Sequence, residues 1–323
     1  MIRAAIACVV GLLAVLAANI AIAQTAFPTH AVRFVVPFPA GGTNDVLARI
    51  VGDKLSAKWG QPVVIENKTG AGGNIGADTA YHADPDGYTL LVSPPGPLAV
   101  NQSLYRQLSY KPQEFIPLTL IAASPNLVIV RKELPVNSVK ELIDYIKANP
   151  GKVSFGTQGN GATPHLTAMM FMAMTGTQMV HVPYRGENLV LNDMIGGHVD
   201  IFFGNIASSL TQYRAGRVKV LAIANTHRSA LVPEIPTTAE AGLAGLVSTS
   251  WFALAAPPKT PAALTAEIAS AAIDALNRDD VKARIRAVEM EPLGGSSAQA
   301  AAFIADEAQR WGEVIRKNNI VVD

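Results

Sequence analysis

The sequence predicts an α/β protein of mostly parallel sheets flanked by helices. Three observations carry that expectation. Apolar segments of strand length alternate with segments of helix length along most of the chain. Two glycine-bearing loops, around 37–45 and 156–165, each lead from an apolar strand directly into a helix. No segment recurs at a period in the range of roughly 20–50 residues, which excludes a solenoid.

Taken in order, Met1-Ile2-Arg3 is a short basic start, and the run from Ala4 to Ile20 is almost wholly apolar. Ala21-Ile22-Ala23 then offers an A-x-A cleavage site. This pattern predicts a secretory signal peptide over 1–23. Residues 32–36, 63–66 and 89–93 read as buried strands bounded by turn residues. An amphipathic helix over 46–59 lies between the first two. The stretch 115–130 is apolar with two prolines and reads as extended segments crossing between domains. Ser138 and Glu141 form a capping box for a helix that Asn149-Pro150-Gly151 stops. Beyond it come strands near 153–156, 179–183, 199–203 and 218–224, alternating with helices near 163–175, 187–195 and 207–215. Two Ala-rich helices are expected near 261–287 and 296–317.

Composition removes several function classes. Without residues 1–23 the chain keeps 300 residues and loses Arg3, so 25 basic and 25 acidic side chains balance to zero. A neutral chain with no basic block argues against nucleic acid as a partner. The single cysteine, Cys8, lies in the signal segment, so the mature chain has no disulfide, thiolate nucleophile or cysteine metal site. Six histidines show no H-x-x-x-H pair, and no G-x-S-x-G elbow is present. The expected protein has no catalytic residue, no metal and no cofactor. Gly70, Gly72 and Gly76 approximate a dinucleotide fingerprint, but their spacing is one residue too long, and a tight turn packing helix on strand accounts for them.

The two glycine loops carry the chemistry. Glycine lets a ligand approach bare backbone, and a helix N-terminus offers unpaired N–H groups and a positive dipole end. Each loop is thus an anion seat. Asp45 would repel an anion directly, so its expected role is to order the loop or hold a water. His165 serves as a ligand contact or a loop support. Arg185 is the cation beside a candidate ligand loop, or a solvated surface charge.

At these residues the chain resembles a known family, the Bug (TctC-like) substrate-binding proteins of tripartite tricarboxylate transporters. The matching blocks are 35–42 with Asp45, 60–68, 70–76, 85–91, Gly159-Asn160-Gly161 with His165-Leu166, and 181–186. Pro236-Thr237 with Glu240-Ala241-Gly242 and Ser250-Trp251-Phe252 complete the set. The resemblance implies a two-domain periplasmic binding protein of type II-like architecture. One domain would join 24–121 with 252–323, the other would be 122–251, and the ligand cleft would lie between them. It also implies a monomeric, periplasmic receptor for a small organic carboxylate, serving the permease subunits of a tripartite transporter. A sensor presenting its ligand to a membrane signalling partner would share the same sequence features.

Transferred residue by residue, the resemblance places Phe38, Ala40, Gly41, Gly42, Thr43 and Asp45 at the ligand from the first domain. Gln158, Gly159, Ala162, Thr163 and His165 come from the second, with Tyr184 and Asn205. Ser93 opens a loop, 93–101, expected to read the far end of the ligand. That loop has no Lys or Arg, which favours one firmly held carboxylate and a less charged, aromatic-type remainder. Two departures stand out: Thr43 occupies a position where many relatives have a third glycine, and Gly204 one where an Asp is usual.

Overall fold

The computed structural model describes residues 27–229, 232–317 and 320; the expected signal peptide lies outside them. Strand β1 (Val32–Val36) pairs in parallel with β2 (Val63–Asn67) and β3 (Thr89–Ser93). Helices α1 (Thr43–Trp59) and α2 (Asn74–Tyr81) supply the crossovers. The apolar run of β1 is explained by burial on both faces. Phe34 and Val36 pack with Leu47, Val51 and Leu55 of α1, whereas Val35 packs with Ala77 and Ala80 of α2.

Both sheets are mixed: the parallel pairing of β1 to β3 is joined by antiparallel strands where the chain crosses between the sheets. Strand β4 (Ile116–Pro125) leaves the first sheet, and the chain passes through Asn126 into β5 (Leu127–Arg131) of the second. It returns in β10 (Thr249–Ala256), which runs antiparallel to both β4 and β3. One connection goes out and the other comes back, so their directions oppose. The first sheet has the order β11-β4-β10-β3-β1-β2. Strand β11 (Glu291–Gly294), absent from the sequence reading, adds its proline to the sheet edge, where a missing N–H is tolerated.

The second sheet has the order β7-β6-β8-β5-β9. Its members are β6 (Ser154–Thr157), β7 (Val180–Pro183), β8 (Ile201–Phe202) and β9 (Val218–Ile223), with β5 antiparallel to β8 and β9. The expected division at 121/122 and 251/252 falls inside β4 and β10. The passage from sheet to sheet occurs at Asn126 and in the segment 224–248.

Helix α3 (Asn101–Leu104) was not expected, whereas α4 (Val139–Ala148), α5 (Thr163–Thr175), α6 (Glu187–Ile195) and α7 (Ile206–Arg214) follow the order expected. Ser138 accepts from the Glu141 amide at 3.1 Å, as the capping box requires. The helix expected over 261–287 is two: α8 (Ala262–Asn277) and α9 (Asp279–Ala287) meet at an extended Arg278. Asp279 and Asp280 fill the first turn of α9, where acidic side chains match the dipole. Helix α10 (Ser297–Lys317) is the last helix of the described residues. No helix of the described residues is long and apolar enough to cross a membrane.

A buried network ties the two connections together. Asn126 Nδ2 donates to Thr167 Oγ1 and to Ser248 Oγ, each at 3.0 Å. Ser250 Oγ donates to Asn126 Oδ1 at 3.3 Å and also meets Thr163 Oγ1.

Phe34, fully buried in β1, sets a test of this packing. Phe34→Ala is expected to lower unfolding free energy by about 3–5 kcal/mol, read from the urea midpoint at an unchanged slope.

Candidate functional site

The loop from β1 into α1 is shaped by Asp45. The Gly41 N–H donates to Asp45 Oδ2 at 2.9 Å, with Gly41 at φ +78°, a left-handed conformation suited to glycine. Arg49 donates to both carboxylate oxygens, Nε at 2.9 Å and Nη2 at 3.0 Å. Asn67 Nδ2 donates to Asp45 Oδ1 at 3.1 Å and to the Phe38 carbonyl at 2.9 Å, tying the loop to β2. Burial alone would raise the Asp45 pKa; the hydrogen bonds from Arg49, Gly41 and Asn67 overcome it and hold the group below its ordinary value. Asp45 thus turns away from the cavity and orders the loop.

A cavity of about 290 Å³ opens at the end of that loop. Phe38, Pro39, Ala40, Gly42, Thr43 and Asn44 line it from the first sheet's side, with Pro94 and Phe252. Gln158, Gly186, Glu187, Asn188, Leu189 and Asn205 line it from the second. Three helices begin here. Their N-cap residues, Gly42 for α1, Gly186 for α6 and Asn205 for α7, make no side-chain capping bond. First-turn N–H groups and positive dipole ends therefore converge on the cavity, although no Lys or Arg lines it.

Glu187 occupies the first turn of α6, and Asn205 Nδ2 donates to its Oε1. Burial pushes its carboxyl up to about 7, against the opposing influence of Ser208, Asn205, Gln158 and Thr43. The sequence reading passed over this residue, because a Glu opening a helix is explained by the dipole alone. Its burial depends on residues that the chain brings together only in the fold.

The expected site residues distribute unevenly. Phe38, Ala40, Gly42, Thr43, Gln158 and Asn205 line the cavity. Gly41 and Asp45 shape the loop behind it. Ser93 is buried and donates to the Pro94 carbonyl at 3.1 Å; of the loop it opens, Pro94 reaches the cavity, while Leu98, Ala99 and Val100 belong to the core. Gly159 and Tyr184 line a neighbouring recess of about 520 Å³, together with Arg185 and the 69–73 loop. The Tyr184 hydroxyl donates to Asp193 Oδ2 at 2.7 Å, and burial with that bond raises its pKa to about 12. Phe38, Pro39 and Gln158 border both spaces.

Ala162, Thr163 and His165 border neither space. The N-terminus of α5 is instead met by protein, through Thr163 on Ser250. His165 lies behind its loop, with Gly161 N donating to its Nδ1 at 3.4 Å. Its ring packs 4.6 Å from that of His181, which stacks on Phe155 at 4.8 Å. Burial lowers the pKa of His165 to about 3, helped by His181, and that of His181 to about 4. Both rings are neutral. The 70–73 glycines are explained by contact: a Cβ on Gly72 would sit 2.5 Å from the Asn160 carbonyl oxygen, so this segment touches the 156–165 loop. Gly76 packs as closely, its Cβ position 2.7 Å from Pro37 Cα.

This architecture, two mixed sheets with a cavity between them, is that of the two-domain periplasmic binding proteins. Residues 47–320 match the tripartite tricarboxylate transporter family receptor, TctC, and the chain belongs to that family. It is 35% identical to protein BugT of Bordetella pertussis over 293 residues, covering 90% of each chain. A Rhodopseudomonas palustris protein solved with adipate superposes with TM-score 0.88 at 36% identity, covering 92% of this chain and 100% of that one. MatC of Rhodopseudomonas palustris, solved with bound malate, superposes with TM-score 0.85 at 31% identity, covering 90% and 100%. These are solute-binding proteins and not enzymes.

The buried titratable groups set a stability profile. His165 and His181 charge on unfolding once pH drops below about 6.5, so their contribution is present above that value and is lost as pH falls toward 4 and 3. Glu187 acts in reverse: its raised carboxyl takes up a proton earlier in the folded chain, so acidification from pH 7 favours the fold. Two groups against one leave a net loss, tempered by the partial exposure of His181. Melting temperature is expected to fall from pH 7.5 to pH 5, and to fall more steeply in Glu187→Gln. Equal slopes in the two proteins would contradict this assignment.

Proposed function

We propose that this protein captures a small organic carboxylate between its two lobes and delivers it to the permease subunits of a tripartite tricarboxylate transporter. The observation that carries this reading is the uncapped N-terminus of α1 facing a cavity that no Lys or Arg lines. A carboxylate there would accept from backbone N–H groups and meet the positive ends of helices. The family membership supports it, as do the adipate and malate bound by two structural relatives.

In this reading Phe38, Ala40, Gly42 and Thr43 meet the ligand from one lobe, and Gln158 and Asn205 from the other. Gly41 and Asp45 hold the loop in shape, with Ser93 behind Pro94. Gly159, Tyr184, Ala162, Thr163 and His165 support the opposing wall. The lobes correspond to 24–121 with 252–323, and to 122–251. The apolar faces of Phe38, Leu189 and Phe252 suit a weakly charged remainder. The protein acts as a periplasmic monomer after cleavage behind Ala23.

Thermal unfolding of refolded, ligand-stripped protein against a panel of carboxylates tests the reading. A true ligand at about 100 times its dissociation constant adds about 2.7 kcal/mol of stability. The amides of the same acids are expected to add nothing. A panel in which no carboxylate stabilises the protein would contradict it.

A further inference from the structure

The cavity, above all its wall opposite α1, is rich in acceptors that lack donors. Glu187 Oε2, Asn205 Oδ1, Gln158 Oε1 and Asn44 Oδ1 are each buried without a hydrogen-bond partner, and all four residues line the cavity. Two of these oxygens are fixed in their role, because the amide nitrogens beside them are already engaged. Asn44 Nδ2 donates to the Val92 carbonyl at 2.9 Å, and Asn205 Nδ2 donates to Glu187. Glu187 and Asn205 are at least nine-tenths buried. A carboxylate so placed, with no cationic side chain among the cavity residues, is costly unless something supplies positive charge.

A second carboxylate on the ligand would add repulsion to this wall. An aliphatic remainder would leave the four oxygens unpaired. A protonated nitrogen does neither: an ammonium group brings a positive charge and three N–H donors in one small volume. The Thr43 side chain, in the first turn of α1, lies within hydrogen-bonding reach of Glu187, so the two walls approach each other there. A carboxylate seated on the α1 amides and an ammonium facing Glu187 can therefore belong to one small molecule.

We infer that the cavity takes carboxylates that carry a protonated nitrogen, with Glu187 as the residue that sets this specificity and Asn205 as its positioning partner. The inference rests on the carboxylate-receptor reading and narrows it. The raised carboxyl of Glu187 agrees with it, since a group buried without a counter-charge is the one a ligand cation would stabilise in its charged form.

Matched ligands test it by isothermal titration on the ligand-stripped protein. The pairs are L-leucine with 4-methylpentanoate, and 5-aminopentanoate with pentanoate and adipate. The aminated member of at least one set is expected to bind at least about tenfold more tightly than its partners, the size of one charge-assisted hydrogen bond. In Glu187→Gln, which keeps the side-chain shape, that preference is expected to shrink to within about threefold. Desamino acids or adipate binding as tightly as the amines in the unaltered protein would overturn the inference and leave the carboxylate reading standing. A preference unchanged in Glu187→Gln would overturn the role of Glu187. Failure of every carboxylate, aminated or not, would remove the carboxylate reading itself. Circular dichroism checks that the variant folds, and the comparison of ligands on the unaltered protein decides the main point without it.

Discussion

The Asp45 carboxylate accepts from Gly41, Arg49 and Asn67, and the ligand cavity depends on that set of bonds. An acid so close to an anion seat would defeat it if the charge faced the cavity. Here the charge is turned inward and neutralised by Arg49, and its energy is used to hold Gly41 in a left-handed conformation. The loop can then present Ala40, Gly42 and Thr43 without a side-chain cap on α1. Helix-end amides are left for an outside acceptor because a neighbouring carboxylate has been given other work.

The opposing wall follows a different logic. It is built from the starts of α6 and α7, whose positive ends meet the buried Glu187. The opposing wall carries the one carboxylate among the cavity residues, and the α1 side carries none. This polarity orients a ligand with unlike ends. The buried cluster of Asn126, Thr163, Thr167, Ser248 and Ser250 ties the two chain connections to the first turns of α5. It sits where any change in the angle between the sheets must be absorbed.

Much of the fold was legible in the sequence because local signals sufficed. The runs at 32–36, 63–66 and 89–93 are strand-length and bounded by turn residues, and they fall in β1, β2 and β3. Strand direction was not legible. Whether β10 runs parallel or antiparallel to β3 depends on where the chain re-enters the sheet after more than a hundred residues, and no local pattern carries that. The break at Arg278 was hidden by Ala-rich helix on both sides, although Asp279 and Asp280 mark a helix start in retrospect.

The cavity was half legible for the same reason. The 38–43 loop announces itself through Gly41-Gly42 before an amphipathic helix, and it lines the cavity. The 159–165 loop looks equivalent in sequence, yet its helix end is met by Ser250 and its histidine stacks into the second sheet's wall. Glu187 carried no signal, since its isolation from water and from cations is a property of the folded cavity alone. The central claim is that the α1 amides receive the ligand carboxylate. Backbone amide resonances, followed by nuclear magnetic resonance during titration with a bound carboxylate, test it most directly. The account predicts the largest downfield proton shifts at Thr43 and Asn44; a ligand that binds while those two resonances stay in place would contradict it.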